Sequence, residues 1–309
     1  MPVITPTLDM ERRLAADGYD LIVGFDEVSR GALAGPVMVG CAAIWARDLE
    51  PLSSEDDGGD GSDGSCDGGD GSDRGVSRAA HVGDVTGVAG VDGATGTADN
   101  DSGSHDESPA PGRRFLTVPD GVADSKLLTE HRREAIFDEL RDWCAAYAVG
   151  GASNNEIDEW GITYALGVAS LRALADVERQ LGMGAERAER VAQAARAAHT
   201  DGPIRVAAIL DGPSDYITKA LGTFDAPDVP VPARVTTKVK GDRHCATVAT
   251  AAVIAKVTRD RLMVDIAHDN PQYAPYQWDH NKGYGSAAHR SAIAELGPTP
   301  LHRLSWHLT

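Results

Sequence analysis

Two adjacent carboxylates, Asp26 and Glu27, directly follow a short apolar run at residues 21–25. A turn-prone segment, SRGALAGP, separates them from a second apolar run at residues 37–44. Short apolar runs on either side of a Gly- and Pro-containing connection predict neighbouring strands, with Asp26 at the buried end of the first. A buried carboxylate needs a counter-charge, and a divalent cation can supply it. The alternative for Asp26 is a capping or turn acid at a strand end.

Two further carboxylates could join this pair, one at the end of another apolar run and one on a helix. Asp211 ends an apolar run at residues 204–210, and a Gly-Pro pair follows it at once. Asp260 lies four residues after Lys256 in a long helical pattern, so both are on one helix face. Carboxylates that converge over a sheet suit oxygen-preferring cations such as Mg²⁺ or Mn²⁺. Such a cluster supports phosphodiester cleavage with two cations about 4 Å apart. Without metal, the carboxylates would repel one another, and some pKa values would be raised.

The elements that must position these acids follow from the periodicity of the apolar residues. Strands are predicted at 21–25, 37–44, 145–151, 204–210 and 234–239. Helices are predicted after a cap at Ser125 or Thr129, from 154 to 199 with a break at 182–184, and from 245 to about 268. The order places a meander beside crossover-linked strands, which predicts a mixed sheet flanked by helices.

The net charge of −18 is concentrated in one segment. Residues 48–112 contain 16 Asp and Glu against Arg74 and Arg78, a net charge of −14 that leaves −4 for the rest. Their Gly/Asp/Ser-rich composition cannot bury enough surface to offset the entropy of ordering, and it predicts a disordered insertion. The alternative, a calcium loop in the DGGDGSDG repeats, lacks the terminal Glu of that motif. The acidic total therefore does not exclude a nucleic-acid partner. A second insertion is expected at residues 182–202.

Composition also narrows the class of protein. No run of about 18 apolar residues exists, so no membrane span is expected. The first residues lack a basic start followed by an apolar core, so we expect a cytoplasmic protein without a signal peptide. The four cysteines are scattered, as is typical of small apolar side chains in a reducing compartment and not of a zinc site or disulfide framework. They are Cys41, Cys66, Cys144 and Cys245.

Short motifs in a fixed order suggest a family. They are GFDEVSRGALAGPV, DSKLL, LDGP, KGD, AAVIAKVTRD, and KGYGSAAH with the closing HRLSW. Together they resemble bacterial ribonuclease HII over about residues 21–46 and 118–306. The resemblance implies an α/β RNase H-like fold, with a mixed five-stranded sheet flanked by helices. It also implies one catalytic domain over residues 1–309 and a C-terminal helical region at 262–309 that contacts substrate.

The resemblance further implies an endonuclease that cleaves the RNA strand of RNA–DNA hybrids. It implies incision at single ribonucleotides in duplex DNA as well, with 3′-hydroxyl and 5′-phosphate products. Both nucleic acids would be partners of a monomeric enzyme that uses Mg²⁺ or Mn²⁺. By motif, the metal-binding and catalytic carboxylates are Asp26, Glu27, Asp211 and Asp260.

Five residues take substrate-binding roles by the same resemblance. The family's Gly-Arg-Gly backbone, here Ser29, Arg30 and Gly31, contacts the ribose 2′-hydroxyl that distinguishes RNA from DNA. Tyr284 stacks on the sugar at the RNA-to-DNA junction, and Lys126 lies near the phosphates. Ser29 departs from the family glycine. If that position needs positive φ, its Cβ costs on the order of 1 kcal/mol or more. We expect activity to survive, with altered discrimination at the junction.

Less specific roles remain open for several residues. Tyr284 is otherwise a surface aromatic, and Lys126 a solvated residue at a helix start. We expect hydrogen-bonding roles for the histidines, since two-metal hydrolysis uses oxygen ligands. A capping role is expected for Asp242, and packing more than nucleic-acid contact for Arg303 and Trp306. The histidines concerned are His244, His280, His289 and His302.

Two other functions fit parts of the same pattern. One is another RNase H-like phosphoryl-transfer enzyme, such as a resolvase or ribonuclease HIII. The absence of an extra N-terminal domain before the Asp26 strand argues against ribonuclease HIII. The other is an inactive hybrid-binding protein, against which the complete set of carboxylates argues.

Overall fold

A computed structural model describes residues 5–52, 115–183 and 203–309, all of which belong to one compact unit. Most of the predicted acidic insertion and of the second insertion lies outside the described residues, as does Cys66. The first residues assigned to the acidic insertion are described, and Leu49 among them is buried in the core. The other three cysteines are free thiols, two of them buried.

The five strands form one sheet in the order β3-β2-β1-β4-β5. They are β1 (Leu21–Val28), β2 (Val37–Trp45), β3 (Ala146–Ala152), β4 (Val206–Asp211) and β5 (Arg234–Lys238). Strand β2 pairs antiparallel with β1 and β3, whereas β4 pairs parallel with β1 and β5. The predicted mixed five-stranded sheet is thereby confirmed.

Helices cover both faces of this sheet and continue beyond it to Leu296, as the predicted C-terminal helical region requires. They are α1 (Asp9–Ala16), α2 (Glu130–Trp143), α3 (Asn154–Trp160), α4 (Ile162–Gln180), α5 (Ile217–Ala220), α6 (Gly241–His244), α7 (Ala246–Asp269), α8 (Trp278–Asn281) and α9 (Ala287–Leu296), with 3-10 turns at Ala46–Asp48 and Pro271–Tyr276. Within the described ranges, no helix has both the length and the hydropathy for crossing a bilayer.

Side-chain capping decides where two of these helices begin. The Thr129 hydroxyl, and not that of Ser125, accepts from Arg132 N and starts α2. Ser153 and Glu156 form a reciprocal capping box at the start of α3. The helix predicted to run on from residue 154 is in fact two helices. Gly161, at φ +78°, ends α3 and precedes α4.

Helix α7 lies directly against the two central strands because they carry glycine where it crosses them. A Cβ at Gly24 of β1 would lie 2.3 Å from the Thr247 carbonyl carbon. One at Gly40 of β2 would lie 2.2 Å from the Ala251 carbonyl oxygen. The opposite face of the sheet packs on α4. The close contact fixes α7 over the face of β1 on which Asp26 lies.

Candidate active site

Asp26 and Asp211 are neighbours across two parallel strands. The register pairs Phe25 with Leu210, so the next position in each strand holds an aspartate. Ile22 and Ile209 show which face this is, since both pack on the α7 side and side chains alternate along a strand. Adjacent strands are about 4.8 Å apart, so the two carboxylates lie side by side beneath α7.

The electrostatics of this pair are unfavourable without a cation. Asp26 is only 3% exposed. Burial, and then repulsion from Asp211, raises the pKa of Asp26 well above its usual value. The Lys126 ammonium opposes that shift. Main-chain donors fix both acids: Glu27 N donates to Asp26 Oδ1 (2.9 Å), and Gly241 N donates to Asp211 Oδ1 (2.7 Å). The pair is therefore positioned by main-chain donors and rich in negative charge.

Glu27 follows Asp26 on β1, and its side chain leaves the opposite face of the strand. Its Oε2 accepts a hydrogen bond from the Tyr216 hydroxyl (3.0 Å). Its Oε1 lies 3.2 Å from the Arg30 guanidinium, to which it is ion-paired. The Glu27 carboxylate is thus oriented by two partners.

Asp260 is buried at 6% exposure on α7. Lys256 Nζ lies 2.6 Å from its Oδ1, which bears out the shared helix face predicted from the spacing of four. The Arg133 guanidinium lies 3.8 Å from its Oδ2. Among the described residues, no three His, Cys, Asp or Glu side chains form a group that could hold a metal ion. The convergence of all four carboxylates therefore stays a prediction.

Lys126 and Tyr284 lie close to these acids. Burial lowers the pKa of Lys126, but the carboxylates of Asp26 and Asp242 outweigh it, so the pKa is raised overall. The lysine side chain is 71% exposed, which leaves the ammonium open to a ligand. Tyr284 is 36% exposed, and its ring lies 5.6 Å from the Nζ of Lys256, the partner of Asp260.

The loop at residues 29–31 has a positive φ at Ser29, the position at which the family has glycine. Ser29 has φ +64°, in the left-handed region, and is 2% exposed. Its hydroxyl is buried without a hydrogen-bond partner among the described residues. At Gly31, by contrast, a Cβ would meet no described atom within 4 Å. The sequence analysis expected a cost at Ser29 if this position had a positive φ, and the structure shows that it has one.

Comparison with known proteins identifies the family. A family model described as Ribonuclease HII matches residues 116–309. Ribonuclease HII of Streptomyces avermitilis is 34% identical over 308 residues, 99% of this chain and 85% of the relative. The enzyme of Streptomyces griseus is also 34% identical, covering 99% of this chain and 86% of its own. The chain belongs to the ribonuclease HII family. It is therefore a metal-dependent ribonuclease H, of a family that cleaves the RNA of RNA–DNA hybrids.

The ribonuclease HII matches differ in what they cover. The family model begins after β2, so it includes Lys126, Asp211, Asp260 and Tyr284 but not Asp26. The Streptomyces relatives match over nearly the whole chain. Among solved structures, the crystal structure of ribonuclease H2 from Pyrococcus horikoshii is 19% identical, with a TM-score of 0.48 and coverage of 93% of this chain and 94% of its own.

Two buried acids beside the ribonuclease HII carboxylates were not predicted as site residues. Asp124 is ion-paired with Arg243 at 3.0 Å, and the Lys126 ammonium lies 4.0 Å from Asp242. Burial, and then the carboxylates of Asp124 and Asp211, raises the pKa of Asp242 to about 6. The sequence predicted only a capping role for Asp242. The sequence did offer one indication that Asp242 lies near Asp211: it closely follows β5, the strand next to β4.

Proposed function

We propose that this ribonuclease HII family member cleaves the RNA strand of RNA–DNA hybrids and also incises 5′ of single ribonucleotides in duplex DNA. The products would be 3′-hydroxyl and 5′-phosphate ends. The observation that supports this most directly is the burial of Asp26 and its pairing with half-buried Asp211, which together raise the pKa of Asp26 when no cation is bound. Lys126 beside it offers a positive charge for a phosphate group.

The carboxylates suit a divalent cation by the chemistry of their oxygen donors, although no three of the described side chains already form a group that could hold one. Asp26, Glu27, Asp211 and Asp260 would hold it, because carboxylate oxygens are the ligands that Mg²⁺ and Mn²⁺ prefer. Bound cations would supply activation of water and stabilisation of the leaving oxygen. Glu27 is oriented for this by the Tyr216 hydroxyl.

Asp260 is buried as the shared partner of two ion pairs. Lys256 and Arg133 contact its two oxygens separately, so the charge is balanced on both sides. Arg133 also donates to the carbonyls of Ser125 (3.0 Å) and Leu128 (2.6 Å) in the loop that carries Lys126. These contacts join Asp260 to the loop beside Asp26. They support a role for Asp260 in the same site.

Recognition of the ribonucleotide would use two elements on either side of the carboxylates. The main chain at residues 29–31 would contact the 2′-hydroxyl, the group that DNA lacks. The exposed ring of Tyr284 would stack on the sugar at the RNA-to-DNA junction. Neither contact reads a base, so the cleavage would be independent of sequence. We further propose that the enzyme acts as a monomer in the cytoplasm.

The test compares three duplexes: an RNA–DNA hybrid, DNA with one embedded ribonucleotide, and plain DNA. Each is incubated with no metal, with Mg²⁺ or with Mn²⁺, and the product ends are mapped by their reactivity toward phosphatase and ligase. We expect metal-dependent cleavage of the first two alone, and none by Asp211→Asn. Cleavage of plain DNA, or of no duplex under any condition, would overturn the proposal.

A further inference from the structure

The loop between β1 and β2, residues 29–36, is held between two parts of the C-terminal region. Leu33 N donates a hydrogen bond to Gly283 O (2.8 Å), next to Tyr284. Arg303 N donates in turn to Leu33 O (2.9 Å). Gly283 must be glycine for this contact, since a Cβ there would lie 2.6 Å from a loop carbonyl oxygen and its φ is +84°. The loop is therefore fixed from both sides by main-chain contacts.

Arg303 extends this contact with its side chain, which is fully buried. Its guanidinium donates to three loop carbonyls: Nη2 to Ser29 (2.8 Å), Nη1 to Arg30 (2.9 Å) and Nε to Gly35 (3.2 Å). Burial lowers the pKa of Arg303 to about 9, so it is still charged at neutral pH. Hydrogen bonds from a charged donor are stronger than neutral ones. Arg303 thus sets the carbonyl directions at the positive-φ turn of Ser29.

His302, the preceding residue, reaches the other ribose-reading element. Its Nδ1 accepts from Thr299 N (2.8 Å), and its Nε2 lies 3.0 Å from Nε2 of His289. His289 Nδ1 lies 2.9 Å from the Tyr284 carbonyl oxygen. With both rings neutral, His302 donates through Nε2–H to His289 Nε2, an acceptor that it shares with Trp278 Nε1–H (3.0 Å), and His289 donates through Nδ1–H to Tyr284. Both rings are fully buried, and burial lowers the pKa of each, that of His302 to about 4.

We propose that the adjacent residues His302 and Arg303 are positioning residues that hold residues 29–31 and Tyr284 in one fixed arrangement. This rests on the proposed function, in which those two elements read the ribose and the junction. A single embedded ribonucleotide offers only one ribose and one junction, so its cleavage depends on the spacing between the elements. A hybrid offers a 2′-hydroxyl at every RNA position and no junction within its RNA strand. Its cleavage depends less on that spacing.

The test measures kcat/KM for both substrates with the full-length chain and takes their ratio. Partial unfolding lowers both rates equally and leaves the ratio unchanged, so the ratio separates positioning from general stability. Arg303→Lys keeps the charge but cannot reach three carbonyls at once. The matched control is Arg205→Lys. Arg205 also donates to two carbonyls, those of Asp17 (3.1 Å) and Gly18 (3.0 Å), at the end of β4 opposite Asp211.

A second pair of variants addresses His302 in the same way. The amide of His302→Asn takes the place of Nδ1, so it keeps the bond to Thr299 and loses the contact with His289. The amide of His302→Gln takes the place of Nε2 and keeps the contact with His289. The Gln variant should therefore rescue what the Asn variant loses. A role limited to packing predicts no such rescue.

We expect the embedded-ribonucleotide-to-hybrid ratio to fall about tenfold in Arg303→Lys and His302→Asn, the effect of losing one charged or buried hydrogen bond. It should stay near the wild-type ratio in Arg205→Lys and His302→Gln. A wild-type ratio in both Arg303→Lys and His302→Asn would overturn the inference while leaving the proposed function intact. If the wild type failed to cut the embedded ribonucleotide, the proposed function would fall and the inference with it.

Discussion

Asp26 and Asp211 lie at the same level of the parallel strands β1 and β4, both directed toward α7. Their closeness is a property of the sheet, because the register fixes it before any ligand binds. The pair therefore carries an electrostatic cost in the metal-free protein, and the raised pKa of Asp26 reports that cost. In a site of this kind, the repulsion that lowers the stability of the metal-free protein also raises its affinity for a cation.

The first prediction concerns this cost. Asp211→Asn keeps an oxygen that can accept from Gly241 N and removes the charge that repels Asp26. We expect the free energy of unfolding in EDTA to rise by about 1 kcal/mol, while cleavage is lost. Urea unfolding and the cleavage assay measure the two effects. Asp225→Asn, an exposed acid beyond the site, is the control and should change neither. A less stable Asp211→Asn would contradict this account.

The second prediction concerns Ser29. Ser29→Gly relieves the positive φ and removes the buried hydroxyl, so it should stabilise the protein by about 1 to 2 kcal/mol. Ser29→Ala removes the hydroxyl but keeps the Cβ, so its stability should lie between that of the wild type and that of Ser29→Gly. Thermal unfolding of the three proteins tests that order. Cleavage should persist in all of them, with a changed preference at the junction. Indistinguishable rates on every substrate would dismiss a special role for Ser29.

The third prediction concerns pH. Glu11 is buried beside the start of α7, where its Oε1 accepts from Thr247 N (3.0 Å) and Oγ1 (2.8 Å). Burial raises the pKa of Glu11 from 4.5 to about 7. The folded state therefore binds more protons than the unfolded state in that window. The contribution of Glu11 to stability is fully present below pH 4.5 and is lost as the pH rises through 7.

Glu11→Gln should remove this pH dependence. Relative to wild type, the variant should gain up to about 3 kcal/mol in free energy of unfolding between pH 4.5 and 8. Urea unfolding at several pH values provides the measurement. Glu178→Gln is a matched comparison, since burial also raises the pKa of Glu178 to about 7. A constant difference between Glu11→Gln and wild type across this range would show that Glu11 does not titrate as described.

The fourth prediction concerns the orientation of Glu27. Tyr216→Phe removes the hydroxyl that donates to Glu27 Oε2 and leaves the buried ring in place. We expect kcat to fall about threefold to tenfold and Mn²⁺ affinity, measured by calorimetry, to weaken, with unfolding little changed. Tyr164→Phe removes a nearby hydroxyl bonded to Thr223, away from Glu27, and should leave activity intact. Equal activities in the two variants would argue against orientation by Tyr216.

The sequence predicted the sheet well and the ends of its strands less well. Strand β1 was expected to end at residue 25, where the apolar run stops. It continues to Val28 because β2 pairs with it up to Met38. Charged residues at a strand end interrupt the hydrophobic pattern but not the hydrogen-bond ladder. The register that brings Asp211 beside Asp26 also depends on pairing between distant segments, which no local pattern encodes.

The surroundings of the acids were the least predictable part. The pairing of Asp260 with Lys256 followed from helical spacing, but its contact with Arg133 joins α7 to α2 across more than a hundred residues. Arg303 was expected to pack, and it does so by binding main-chain carbonyls that give no signal in a sequence. His289 and His302 likewise contact main-chain atoms, the Tyr284 carbonyl oxygen and Thr299 N. Tertiary contacts to the backbone decided these roles.

Leu116 N donates a hydrogen bond to Asp48 O (2.7 Å), so the described residues on either side of segment 53–114 lie next to each other. Loop closure costs only about 0.6 kcal/mol for each doubling of length, so a connection that starts and ends at a closed gap can lengthen or shorten at small energetic expense. The number of residues between positions 52 and 115 can therefore change, in evolution or by engineering, while β1, β4 and their aspartates keep their positions.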